Sequence, residues 1–221
     1  VADNLGYAPI VWTARNGPFV REFASAGFPV QVVPDTAVDL SKIEDLTREN
    51  IKLVVCNTVA TEGYVRAIEG KLPLVWYIRE ATNLPQFLRG NPVRAETLRA
   101  SSSVTVVSEY AAQSVSQFTD GPVQVVKNAV EDLSAYASTH YPGNDGIIRF
   151  VQLGTIEHRK GYDLLVSAYK AMPKQYRERA EIHFAGRFIN SATSFASYLF
   201  GQIIDEPNIH YHGIITDEME K

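Results

Sequence analysis

Short runs of apolar, mostly β-branched residues alternate with segments whose apolar residues recur every three or four positions, from one end of the chain to the other. Strands are expected at Ile10 to Thr13, Val30 to Val33, Leu53 to Cys56, Leu74 to Ile78, Val104 to Val107 and Val123 to Val126. Between them lie helical patterns. Gly17 and Pro18 open one that puts Phe19, Val20, Phe23 and Ala24 on a single face, and Gly27 ends it. Leu40, Ile43 and Leu46 mark a second, and Tyr64, Val65 and Ile68 a third. Ala111, Val115 and Phe118 share a face at i, i+4 and i+7. Leu53 to Cys56 is continuously apolar, the pattern of a strand covered on both faces. A strand–helix–strand repeat of this kind dictates a parallel sheet with helices packed on it, so the expected class is α/β.

The alternation breaks once. Ser134 to Gly146 is rich in Ser, Thr, Pro, Asn and Gly and carries little apolar periodicity, which reads as a connection between domains. A second series follows. Phe150 to Leu153 is a strand, and Tyr162, Leu165, Val166 and Tyr169 line a helix. Glu181 to Phe184, Phe195 to Ile204 and Ile209 to Tyr211 then read as strand, helix and strand. The expected organisation is a first domain over residues 1–145 and a second over 146–221. Both read as incomplete. The second has fewer strands than the ~5–6 of an ordinary sheet. The first lacks an opening strand, since Val1 to Leu5 resemble the tail of a helix.

Charge narrows the function classes. A net charge of -4 and a pI near 5.8 argue against a nucleic-acid binder, which needs clustered Lys and Arg. No apolar run approaches the ~18 residues of a membrane span. Cys56 is the single cysteine. It cannot form an internal disulfide, and a reducing, cytoplasmic setting is expected. Flanked by Val54 and Val55, it reads as a buried, inert thiol. His210 and His212 lie at i and i+2 on a strand; two ligands alone do not make a zinc site.

The segment Phe150-Val-Gln-Leu-Gly-Thr-Ile-Glu-His-Arg-Lys-Gly-Tyr-Asp-Leu-Leu-Val-Ser-Ala-Tyr169 carries the most chemistry. It reads strand, glycine turn, basic loop, helix. Gly154 permits a tight turn at the strand's C-terminal end, where open α/β sheets place ligands. Arg159 and Lys160 are expected at the start of the following helix, an end that already carries about half a positive charge. Two readings are open. Either the pair is a solvated surface feature, or a bound anion such as a diphosphate resolves the conflict, held by free N–H groups and the lysine. A Walker loop is absent, and so is the GxGxxG dinucleotide fingerprint.

Gly154 through Ala168, G-T-I-E-H-R-K-G-Y-D-L-L-V-S-A, resembles the opening of the donor domain in retaining GT-B glycosyltransferases of the family-4 (group 1) type. Other segments match that family in order. Asn16-Gly17-Pro18 through Val33 resembles a helix and strand of its acceptor domain. Leu53 to Thr58 and Pro73 to Glu80 resemble the next two strands, and Val104 to Ser108 the strand ending in Ser. Val125 to Val130 resembles its Asn-Gly-Val segment. Ile182 to Gly186 and Ile209 to Gly213 resemble later donor-domain strands.

The resemblance implies two Rossmann-like domains and transfer of a sugar from a nucleotide-diphosphate sugar to a carbohydrate or lipid-linked acceptor, in polysaccharide or glycoconjugate synthesis. It implies retention of configuration, no divalent metal and no cofactor, the nucleotide-sugar being a co-substrate. By position, Lys160 corresponds to the lysine on the donor diphosphate and Gly154 to the glycine beneath it. Thr155 stands where the family often has Arg, so Arg159 or His158 substitutes, or binding leans on Lys160. Arg79-Glu80 stands where the family often has His. Arg79 either lines the acceptor side or pairs with Glu80 on the surface. Glu80, Ser108, Asn128 and Gly186 are further candidates near the acceptor or donor; Ser108 reads chiefly as a helix cap. The apolar and basic stretch Leu84, Phe87, Leu88, Arg89, Arg94 and Arg99 resembles one through which such enzymes touch membranes, which would make the protein peripheral at the inner face; packing within the domain is the competing reading. The family's E-x7-E, which grips the donor ribose, is expected beyond Lys221, so these 221 residues are expected to be inactive alone. Two alternatives stand beside the transferase: a non-catalytic relative that serves as an interaction module, and another nucleotide-binding Rossmann-like enzyme.

Overall fold

In a computed structural model, residues 6–34, 44–46, 48–130, 132, 134, 145–188 and 194–215 are described. The readings made for Val1 to Leu5, for Leu40 and Ile43, and for most of the linker between Ser134 and Gly146 lie outside them. Contacts divide the chain into two units, Val1–Glu131 and Asp132–Lys221.

The first unit holds two parallel sheets. Strand β1 (Val11–Thr13) pairs with β2 (Val30–Val32), joined by α1 (Pro18–Ser25). Proline at the head of α1 fits because its missing N–H would have no helical partner there. The expected apolar face of α1 exists as a row, yet no residue of this helix is buried. Phe19 and Phe23 instead lie against each other at 6.5 Å, and Phe23 meets Phe28 at 6.2 Å.

The second sheet has the order β3 (Val54–Asn57), β4 (Leu74–Ile78), β5 (Val104–Val106), β6 (Val123–Val125), all parallel. Helices α2 (Glu62–Ile68), α3 (Leu84–Arg89), α4 (Pro92–Ala100) and α5 (Glu109–Val115) belong to this unit. Their apolar residues Val65, Ile68, Leu84, Leu98 and Val115 close over Trp76, Ile78, Val104 and Val106 in one core. Leu84, Leu88 and Leu98 are thus turned inward and pack in the domain, while Phe87 of the same stretch stays exposed. Arg94 pairs with Glu62 across α4 and α2 at 3.3 Å. One expectation for β3 fails. Its apolar pattern predicts cover on both faces, but among the described residues it is an edge strand, and Val55 remains 57% exposed while Cys56 faces the core.

The second unit is a three-stranded parallel sheet in the order β7 (Ile148–Leu153), β8 (Ala180–Ala185), β9 (Ile209–Tyr211). With it go α6 (Tyr162–Ala171), the short α7 (Lys174–Arg177) and α8 (Ser194–Ile203). Tyr162, Val166 and Tyr169 of α6 and Leu199 and Ile203 of α8 pack with Ile182, Phe184 and Ile209. Most of β7 stays exposed on both faces: Ile148 and Phe150 on one, Val151 and Leu153 on the other. Among the described residues, no helix is long and apolar enough to cross a membrane.

Candidate functional site

Three glycines end the three strands of the second unit. Gly154, Gly186 and Gly213 follow β7, β8 and β9, and all have positive φ, at 134°, 150° and 74°. Such angles are open to glycine at little cost and strained for side-chain-bearing residues. The first two are bound into one shelf. Gly154 N–H donates to Ala185 O at 3.0 Å, and Gly186 N–H donates to Gly213 O at 2.7 Å. A Cβ at Gly186 would lie 1.7 Å from Gly154 O, whereas a Cβ at Gly154 would meet nothing within 4 Å. The shelf is therefore closed beneath Gly154 and open above it.

From this shelf the chain runs through Thr155, buried Ile156 and Glu157 into a 3-10 turn, His158–Lys160, then left-handed Gly161, and only then α6. Arg159 and Lys160 thus sit one turn ahead of the helix, rather than in its first turn as expected. Left-handed Gly161 (φ 73°) separates the turn from the helix. No side chain caps α6, and Asp163 lies in its first turn, where a carboxylate suits the helix dipole. The charges in the loop are unequally satisfied. Arg159 forms an ion pair with Glu157. His158 Nε2 lies 3.6 Å from Asp163 Oδ2 and its ring is stacked obliquely on Phe195. Lys160 is exposed, and among the described residues its ammonium has no hydrogen-bond or ion-pair partner.

Side chains that the sequence reading did not single out fix the main chain of this loop. Gln152 Nε2 donates to Lys160 O at 2.7 Å, and Tyr162 Oη donates to Gly154 O at 2.8 Å. Tyr211 Oη donates to Gly186 O at 2.9 Å. Tyr162 signalled only as part of the apolar stripe of α6, and Gln152 and Tyr211 only as residues at or near the ends of strands.

In the first unit the candidates follow the C-terminal ends of β4, β5 and β6. Glu80 and Arg79 do not form the ion pair offered as one reading. Glu80 Oε2 instead accepts Val59 N–H at 2.9 Å and Arg79 N–H at 3.2 Å, tying the end of β4 to the turn after β3. The Arg79 side chain is exposed. Ser108 Oγ accepts Ala111 N–H at 3.2 Å and caps α5. Asn128 Oδ1 lies 3.0 Å from the Tyr77 hydroxyl, which is also 2.8 Å from Val126 O. Cys56 is buried, and desolvation pushes its thiol up to about 12.

His210 and His212 have a neighbour that strand periodicity could not reveal. The register of β8 with β9 sets His183 beside His210. Its ring stacks on both, at 4.9 and 5.2 Å, and its Nδ1 is 2.9 Å from His212 Nε2. Parallel rings do not converge their nitrogens on one point. Among the described residues, no group of three or more His, Cys, Asp or Glu is placed to hold a metal.

Two shallow concavities lie elsewhere. One of about 310 Å³ is lined by Trp12, Gln31, Leu46 and Arg48, and one of about 260 Å³ by Tyr169, Arg177 and Asn208. Neither includes a candidate residue. The open space over Gly154 and the exposed loop after it offer a place for an anion against Lys160 and the main chain of Gly154 and Thr155.

No family model matches this sequence, and no curated protein does. Solved structures do. The Anabaena protein HepE, solved in complex with UDP and glucose, superposes with a TM-score of 0.69 at 18% identity, over 94% of this chain and 62% of that one. A glycosyltransferase from Rickettsia africae gives 0.68 at 14%, over 98% and 62%. The lipopolysaccharide outer core galactosyltransferase WaaB gives 0.63 at 10%, over 96% and 60%. The chain spans about three fifths of the length of these proteins. Its fold is that of the GT-B glycosyltransferases, as the resemblance of its segments to that family implied.

Proposed function

We propose that the protein transfers a sugar from a nucleoside-diphosphate sugar to a carbohydrate or lipid-linked acceptor, and that the donor diphosphate rests on the Gly154–Gly161 loop. The observation that carries this reading is the exposed Lys160, its ammonium unpartnered among the described residues, in the loop that follows an open glycine shelf at the C-terminal end of β7. As the anomeric bond breaks, negative charge accumulates on the leaving diphosphate. A lysine carried on a held main chain stabilises that charge with little reorganisation of the loop. The open space over Gly154 lets phosphate oxygens approach the main chain closely. Lys160 is the catalytic residue of this reading, and Gly154, Thr155 and Arg159 its remaining diphosphate contacts. Transfer with retention, without a divalent metal, in polysaccharide or glycoconjugate synthesis completes it. Arg79, Glu80, Ser108, Asn128 and Gly186 then lie at strand ends that serve the acceptor or the sugar. The similarity to HepE, whose structure contains UDP and glucose, supports the choice of ligand class.

The test is an NMR titration of ¹⁵N-labelled protein with UDP and with inorganic pyrophosphate. The amides of Gly154, Thr155, Lys160 and Gly161 are expected to shift, and Lys160→Met to weaken both ligands by about tenfold, the scale of one charge-assisted contact. Shifts confined to other residues, or none at millimolar ligand, would dispose of this reading.

A second reading has its own support. Arg159 is engaged by Glu157, and Thr155 supplies no cation, so Lys160 is the sole unpaired cation of the loop among the described residues. A non-catalytic relative acting as an interaction module would tolerate that loss. It predicts no response to either phosphate probe.

A further inference from the structure

We infer that Gln152 and Tyr162 are positioning residues that clamp the Gly154–Gly161 loop and so aim Lys160; the role rests on the diphosphate reading above. The two contacts are reciprocal. Gln152, two residues before the loop on β7, reaches forward to the carbonyl of Lys160 at 2.7 Å. The residue that follows it on α6, Tyr162, reaches back to the carbonyl of Gly154 at 2.8 Å. Each side chain therefore ties its own end of the loop to the opposite end, and the pair closes the base of the loop.

The donor roles are unambiguous. Both acceptors are main-chain carbonyls, so the Gln152 amide must present nitrogen to Lys160, and the Tyr162 hydroxyl must donate. Tyr162 is fully buried and meets Phe184 edge to face at 5.1 Å, which fixes its ring. Gln152 sits on the same face of the sheet, in register with Phe184. A third tie holds the middle of the loop: Ile156 is buried and its N–H donates to Arg187 O at 2.9 Å.

The consequence is specific to Lys160. Its carbonyl is held by Gln152, its N–H donates to Glu157 O at 3.0 Å, and its side chain is left in solvent. A long flexible cation on a fixed main chain loses less freedom on binding an anion than one on a mobile loop. Gln152 and Tyr162 touch no ligand in this arrangement. They act through the residue they hold.

A double-mutant cycle separates this role from a general loss of fold. Gln152→Met keeps the length of the side chain and removes the donor; Tyr162→Phe keeps the ring and removes the hydroxyl. Affinity for UDP is measured by NMR titration for the wild type, Gln152→Met, Lys160→Met and the double variant. Gln152→Met is expected to weaken UDP by about tenfold, one hydrogen bond's worth of order, and to add nothing on top of Lys160→Met. Tyr162→Phe is expected to act in the same direction. Amide exchange of Lys160 and Gly161 should accelerate in Gln152→Met while the amides of β8 keep their protection. A wild-type response to UDP with unchanged variants, with additive losses, or with unchanged exchange at Lys160 and Gly161 overturns the clamp and leaves the diphosphate reading standing. Absence of any wild-type response overturns the diphosphate reading and this role with it.

Discussion

The carbonyl oxygen of Gly154 occupies the place where any side chain at position 186 would begin, 1.7 Å from an ideal Cβ. Both residues are main chain in left-handed territory, at φ 134° and 150°, but only one of them is crowded. Gly186→Ala must therefore push the ends of β7 and β8 apart as well as accept a strained angle. Its expected cost is about 3 kcal/mol, at the upper end for strained backbone. Gly154→Ala meets open space and bears the angle alone, for about 1–2 kcal/mol. Urea titration of the two variants checks the order. Equal midpoints would mean that the contact between the two glycines is not rigid.

Ser108 offers a test between a ligand residue and a cap. Its hydroxyl oxygen accepts the Ala111 N–H, an orphan donor of the first turn of α5. Ser108→Ala should cost about 1 kcal/mol and Ser108→Asp much less, since aspartate caps as well as serine does. Thermal melts of both variants report it. An alanine variant as stable as the wild type would remove the capping role and leave its place at the end of β5 free for another.

Much of this fold follows from patterns that any strand or helix must show. The segments Leu74 to Ile78 and Glu181 to Phe184 read as strands and are strands, with at most a residue's difference at the ends. Tyr162, Val166 and Tyr169 read as a buried stripe and are one. Local pattern does not reveal what lies across a sheet. The stacking of His183 on His210 and His212 depends on the register of β8 against β9, which joins residues far apart in sequence. Nor could hydrophobicity alone show that the Val55 side of β3 is uncovered, because burial on that side depends on what packs there. The same limit applies at the site. Gly154 and Lys160 carry their own signals, a turn-forming residue and a charge. Gln152 and Tyr162 matter through where their side chains end, and only coordinates supply that.

The ion pair between Arg94 and Glu62 is the most enclosed one in the first unit among the described residues, with side chains 16% and 9% exposed. Removing one partner leaves the other buried without compensation. Arg94→Met is expected to destabilise by about 3 kcal/mol, while the double variant Arg94→Met with Glu62→Leu should recover most of that loss. Arg94 also donates to Phe87 O at 3.3 Å, so a small residual cost remains. The measurement is a double-mutant cycle by chemical denaturation. A double variant as unstable as the single one would mean that the arginine acts through packing along its stem instead.

Cys56 gives a prediction with a defined pH window. Burial against the core lifts its thiol from 9.0 to about 12, because the anion would have to form away from water. The native protein therefore keeps this group protonated where the unfolded chain begins to ionise. The sign follows: the stability associated with it is whole below pH 9 and is lost as pH rises toward about 12. Cys56→Ala should flatten that loss over the same interval in urea titrations. At pH 8 the folded protein should react with a thiol reagent only as fast as it opens, and adding denaturant should release the full reaction at once. Rapid stoichiometric labelling of the folded chain at that pH would show that the core around β3 admits solvent, contrary to the burial of Cys56 behind Trp76 and Val65.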